Sequence, residues 1–266
     1  MKSTLSKVYL YVVFLFLYLP ILTFMIFSFN SSKSRILWTG FTFEWYKSLF
    51  EDKEILKSLN NTLFVAFTAS IFATIIGTIA AAGILKLNKY YQKVILSVTR
   101  LPLINPEIVN GISLMLLFVF IHKKTGFFEQ GIFTLILSHI TFCLPYVVLS
   151  VIPKLRQLTP NIYEAALDLG CTPFSAFLKV VLREIMPGVV TGGIMAFTVS
   201  IDDFVVSYFT GGAVQTLSIS IYSMSKRSIS PKINALSTLL FLSTLILLII
   251  INFRESKENI KKKELI

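Results

Sequence analysis

Two adjacent acids, Asp202 and Asp203, interrupt an otherwise apolar run at 188–209, and Glu107 follows Pro106 inside a second such run at 94–121. A carboxylate at membrane depth is costly, and it faces a cavity, a partner charge or a pathway. Asp202 stands about 14 residues into its run, roughly 20 Å along a helix. On one continuous helix Asp203 falls about 100° round from Asp202, so the two cannot aim at one spot. That argues against an aspartyl hydrolase, whose paired acids must face each other across a site. Pro102 and Pro106 free backbone carbonyls near Glu107, and irregular backbone at this depth is tolerated where it lines a cavity. Carbonyls and carboxylates together favour a cation. Trp38, Trp45 and Tyr208 can offer rings to an ammonium group, although anchoring at the membrane interface suits the tryptophans equally. Each Asp has a structural alternative: pairing with a basic residue of a partner, or capping a helix break near the outer face.

Little other chemistry is on offer. Cys143 and Cys171 have no CxxC spacing and no neighbouring ligand cluster, so neither a metal site nor a disulfide framework is expected. His122 and His139 read as satisfied or solvated histidines. No GxxxxGK[ST] phosphate loop occurs. If ATP drives this protein, another chain binds it; no cofactor is expected here.

These acids need elements to hold them. Of 266 residues, 55% are hydrophobic and the mean hydropathy is +0.75, more apolar than a soluble domain. The apolar residues gather in runs of spanning length, giving an all-α integral membrane protein with spans near 8–29, 60–85, 94–121, 131–152, 188–209 and 234–253 in a single domain. The first run lacks a cleavage site and is too long for a signal-peptide core, so it is read as an uncleaved span. The formal charge of +11 fits basic residues flanking spans and facing anionic lipid better than a nucleic-acid partner. Six spans place both termini on one side. That side carries 15 of the 25 Lys and Arg residues, which makes it cytoplasmic by a narrow margin.

The cytoplasmic segment 154–186 is too charged to cross a membrane. Thr159 can cap a helix begun by Pro160. Ile162, Ala165, Ala166 and Leu169 then share one face, while Glu164 and Asp168 share another. Gly170 suits the left-handed residue that ends a helix, and Thr172-Pro173 starts a second short helix. An apolar face bearing two alanines is a poor lipid anchor and a better knob for a groove in a partner protein.

Glu164-Ala165-Ala166, then Gly170, then Val180-Val181-Leu182, resembles the EAA loop of ABC importer permeases. Arg183 stands where that motif ends in proline, and Pro187 lies nearby. Further segments resemble the C-type permease subunit of spermidine/putrescine importers: F-N-S-S at 29–32, G-F-T-x-x-W-Y at 40–46, P-E-I-V at 106–109, S-H-I-T-F-C-L-P at 138–145, S-I-D-D-F-V-V-S at 200–207, I-Y-S-M at 221–224, and S-P-x-x-N-A at 230–235. The resemblance implies a six-helix bundle of the type I ABC importer kind and a coupling helix carrying Glu164, Ala165, Ala166, Asp168 and Gly170. It also implies partners: a related second permease, a cytoplasmic ATPase dimer, a periplasmic or extracellular polyamine-binding protein, and membrane lipid. Asp202, Asp203, Glu107, Trp45 and Tyr208 are then the expected pathway residues. Separated ammonium groups joined by methylenes require such spaced acids with apolar or aromatic lining between them. The same importer class with another small cationic or phosphonate-like solute is the competing expectation, whereas a channel without an energy source has no use for an ATPase knob.

Overall fold

The computed structural model describes residues 2–32, 37–158, 161–227 and 231–263. Thr159 and Pro160, expected to open the cytoplasmic helix, lie outside them. Twelve α-helices and no strand occur among the described residues: α1 Lys2–Phe27, α2 Glu44–Glu51, α3 Lys53–Lys86, α4 Lys89–Ile104, α5 Glu107–Thr125, α6 Ile132–Arg156, α7 Ile162–Asp168, α8 Pro173–Ala176, α9 Leu182–Asp202, α10 Val205–Thr210, α11 Leu217–Arg227 and α12 Pro231–Lys263. A π-helical turn, Phe177–Val181, joins α8 to α9. Among the described residues, five helical stretches are long and apolar enough to cross a bilayer: Ser6–Phe27, Lys53–Lys86, Glu107–Thr125, Ile132–Arg156 and Pro173–Asp202. Pro231–Ile246 is a shorter apolar stretch within α12.

The chain divides into two compact units, 1–59 with 219–246, and 60–218 with 247–266. In the first, α1 carries an almost unbroken sleeve of exposed Leu, Phe, Val and Tyr. A helix apolar all round needs lipid or a partner around it, not water. The start of α3 is fixed by Asp52, whose Oδ1 accepts the Glu54 and Ile55 amides at 3.1 and 3.4 Å. Its Oδ2 pairs with Lys232 Nζ at 3.4 Å. The Ser220 hydroxyl donates to Ser58 Oγ at 2.7 Å.

In the second unit, α3, α6 and α9 enclose a core of Ala73, Ala81, Cys143, Val147, Val151, Ile185 and Ala196. Small residues let these helices approach closely, as membrane helices do when no hydrophobic effect drives them together. Gly188 and Gly192, four apart, face α6. A Cβ at Gly188 would stand 2.9 Å from the Ser150 carbonyl oxygen, and one at Gly192 would stand 3.1 Å from Val147 Cα. The buried Cys143 thiol donates to the Ala196 carbonyl at 3.3 Å across the same interface.

Two helix breaks differ from the sequence expectation. In the third apolar run Pro102 stays inside α4 and only Asn105-Pro106 interrupts the helix. In the fifth, α9 ends at Asp202 and Asp203 is extended, with ψ at 124°. The two acids therefore do not sit 100° apart on one helix. The second short helix expected in this segment is also not separate. From Pro173 the chain stays helical through Arg183 and Pro187 to Asp202, so no helix end falls at Arg183.

Candidate functional site

The break between α9 and α10 sorts the acid pair by environment. Asp203 is buried. Its Oδ1 accepts the Val206 amide at 3.3 Å and its Oδ2 the Ser207 amide at 2.7 Å, supplying acceptors to a helix start that lacks them. His139, buried on α6, completes the arrangement. Its Nδ1 lies 2.6 Å from Ser200 Oγ, and its Nε2 lies 2.9 Å from Ser207 Oγ and 3.5 Å from Asp203 Oδ2. Asp202 is exposed at the end of α9. Tyr208 on α10 is also exposed, with its ring 5.5 Å from those of Phe204 and Phe209.

The other break lies alongside. α10 packs on α5 where Gly111 has no Cβ; one built there would meet Phe209 Cδ2 at 3.0 Å and the Val205 carbonyl at 3.3 Å. Glu107, one turn earlier, is exposed in the first turn of α5. The Pro102 carbonyl accepts the Asn110 side-chain amide at 2.9 Å, so a polar group reaches across this break as well. The structure thus gathers Asp202, Asp203, Tyr208 and the start of α5 in one unit.

Trp45 belongs to the first unit. There F-N-S-S and G-F-T-x-x-W-Y close on each other as a clasp. Thr42 donates its amide to the Phe29 carbonyl at 2.8 Å, and Ser31 does so to Gly40 at 3.0 Å. Asn30 Nδ2 donates to the Leu37 carbonyl at 2.8 Å, and its Oδ1 accepts the Thr39 amide at 3.1 Å. Trp45 Nε1 donates to the Asn30 carbonyl at 2.7 Å. The Phe29 ring stacks on Phe41 at 5.2 Å. The indole N–H of Trp45 is thereby engaged in holding the segment.

The loop 161–176 is built as a helix with a firm stop. The Gly170 amide reaches the Leu167 carbonyl at 2.9 Å and the Cys171 amide the Ala166 carbonyl at 3.1 Å, with Gly170 left-handed at φ +86°. Thr172 Oγ1 accepts the Ser175 amide at 3.3 Å and Pro173 opens α8. The Lys86 ammonium sits 5.5 Å from the centre of the Tyr163 ring. The expected apolar face divides. Ala166 is buried against the rest of the unit, whereas Leu169 is 87% and Phe174 73% exposed. Glu164, Ala165, Asp168 and Gly170 are exposed beside them. Leu169 adjoins Asp168, and Phe174 adds a second exposed apolar side chain to the same turn.

Residues 73–254 match the binding-protein-dependent transport system inner membrane component family. The chain belongs to that family. Two curated permeases of Escherichia coli (strain K12) are each 37% identical to it. The putrescine transport system permease protein PotI aligns over 85% of this chain and 82% of its own length. The spermidine/putrescine transport system permease protein PotC aligns over 89% and 88%. The fold matches a crystal structure of a bacterial ABC transporter involved in alginate import, with a TM-score of 0.70 at 15% identity, covering 96% of both chains. The permease is accordingly a multi-pass inner-membrane transport component of the type I ABC importer fold, and not an enzyme. Sequence reasoning did not assemble the cluster of His139, Ser200 and Ser207 beside Asp203. The signal was present in two motifs, S-H-I-T and S-I-D-D-F-V-V-S, but only the fold sets them against each other.

Proposed function

We propose that this permease forms half of the transmembrane pathway of an ATP-driven importer of polyamines. It would pair with a related second permease, a cytoplasmic ATPase dimer and a polyamine-binding protein at the outer face, with both its termini cytoplasmic. The observation that carries the reading is a single helical stretch, Pro173–Asp202. It begins beside the exposed Leu169 and Phe174 and ends about 45 Å away, at 1.5 Å per residue, on an exposed carboxylate at a helix break. A push on the loop by the ATPase is delivered through this helix to Asp202. The names of the 37%-identical relatives support polyamine as cargo. An exposed acid with the Tyr208 ring one helical turn beyond the break suits an ammonium joined to methylenes. Binding at such a site must stay weak enough for release.

Within this reading Asp202, Tyr208 and Glu107 face the path. Asp203 holds the break, and Trp45 holds the outer clasp. Glu164, Ala165, Ala166, Asp168 and Gly170, with Leu169 and Phe174, meet the ATPase. The test is ATP-driven uptake of labelled putrescine and spermidine into vesicles containing the whole complex. Asp202→Asn is expected to lower uptake about ten-fold or more, the scale of one lost charge-assisted contact, while the subunits still co-purify. Uptake at the wild-type rate would remove Asp202 from the pathway.

A further inference from the structure

We propose that His139 is a positioning residue for translocation: by holding Ser200, Asp203 and Ser207 together it fixes the α9–α10 break and so sets where Asp202 and Tyr208 stand. The inference rests on the reading of Asp202 as a pathway acid.

His139 touches both sides of the break. Ser200 lies on α9, three residues before Asp203, and Ser207 lies on α10, four residues after it. The imidazole comes from a third helix, α6, which is itself packed along α9 through Gly188 and Gly192. A break frees backbone groups that must find partners at low dielectric, and Asp203 takes two of the freed amides. His139 then takes the hydroxyls on either side and approaches the carboxylate. All four side chains are buried, and a buried polar group without a partner is costly. Rotating α10 against α9 would break several of these contacts at once, so the break is held at one angle. An apolar residue at 139 could fill the space but would leave both serines and the carboxylate short of a partner. Asp202 adjoins Asp203 in the chain, and Tyr208 adjoins Ser207. Asp202 and Tyr208 therefore each sit one peptide bond from a residue that His139 holds. Asp203 and Ser207 are buried while Asp202 and Tyr208 are exposed, so His139 acts on the path through its neighbours and touches no solute.

Two replacements separate the contacts. In His139→Gln the side-chain amide reaches the position of Nε2 and keeps the Ser207 and Asp203 side. His139→Asn reaches only the position of Nδ1 and keeps Ser200 alone. The experiment measures labelled polyamine taken up per ATP hydrolysed by the assembled complex in vesicles, for both variants, for Asp202→Asn, and for His139→Asn combined with Asp202→Asn. The expected result is about a ten-fold lower ratio in His139→Asn, at least half of the wild-type ratio in His139→Gln, and no further loss when His139→Asn is added to Asp202→Asn, because the positioned group is already gone. Should His139→Asn fail to assemble, Ser207→Ala takes its place in the same cycle with the same expected pattern. A wild-type ratio in His139→Asn overturns the proposal, as do losses that multiply in the double variant, since a merely structural defect would be independent of Asp202. A wild-type ratio in Asp202→Asn removes the pathway acid and, with it, anything for His139 to position.

Discussion

At the scale of single residues, position in the fold separates side chains that look alike in sequence. Asp202 and Asp203 are neighbours of one chemistry, yet one is exposed at a helix end and the other is buried with two amides on its carboxylate. In sequence both are candidate pathway acids, and each has pairing or capping as its alternative. Asp203 meets the alternative open to either acid, capping a helix break, since its carboxylate accepts two amides there. Gly170 is the opposite case, legible because its demand is local. Its φ of +86° favours glycine, and nothing lies within 4 Å of where a Cβ would stand. Any loss on substitution therefore comes from the backbone, about 1 kcal/mol or more for a β-branched residue. Gly170→Val should reduce the amount of ATPase that co-purifies with the permease several-fold, and Gly170→Asn, which tolerates the left-handed region, should retain it. Equal recovery with Val and with wild type would detach this turn from ATPase docking.

At the scale of elements, apolar periodicity located the helices but not their joints. The stretch Pro173–Asp202 was expected as a short helix, a turn and a span; it is one helix with a π turn at Phe177–Val181. Pro187 did not end it, because a proline inside a membrane helix is tolerated when neighbours accommodate the freed carbonyl. Asn105-Pro106 did end α4, and the Asn110 amide reaches back to the Pro102 carbonyl across that break. The clasp between 28–32 and 37–46 illustrates what spacing cannot express: two segments recognisable as motifs meet as hydrogen-bonded partners. Close helix packing makes a prediction at this scale. A methyl group at Gly188 would meet the Ser150 carbonyl oxygen at 2.9 Å and Lys154 Cγ at 2.6 Å, whereas one at Gly83 meets nothing within 4 Å. Gly188→Ala should lower stability by about 1–3 kcal/mol, read as a lower thermal unfolding temperature of the detergent-solubilised complex. Gly83→Ala should leave that temperature unchanged or raised, through helix propensity. Equal effects of the two would mean that α6–α9 contact does not limit stability.

At the scale of the whole molecule, the sequence carried the class of protein through composition and the E-A-A-x-x-x-G spacing. Two of the scattered motif segments, at 138–145 and 200–207, meet in space. His139 reads in sequence as satisfied or solvated; it is satisfied, and its partners are what tie these two segments together. The sequence has no GxxxxGK[ST] phosphate-binding loop, and the structure has an exposed Leu169 and Phe174 at its 161–176 loop and a helix leading from that loop to an acid. Each feature is incomplete alone, as suits a subunit whose energy and cargo come from other chains. The most direct measurement is transport by the assembled wild-type complex with its binding protein in sealed vesicles, comparing labelled putrescine and spermidine with a zwitterionic amino acid and a phosphonate. The account predicts ATP-dependent accumulation of a polyamine and neither of the other two. Accumulation of the amino acid or the phosphonate without any polyamine would contradict it.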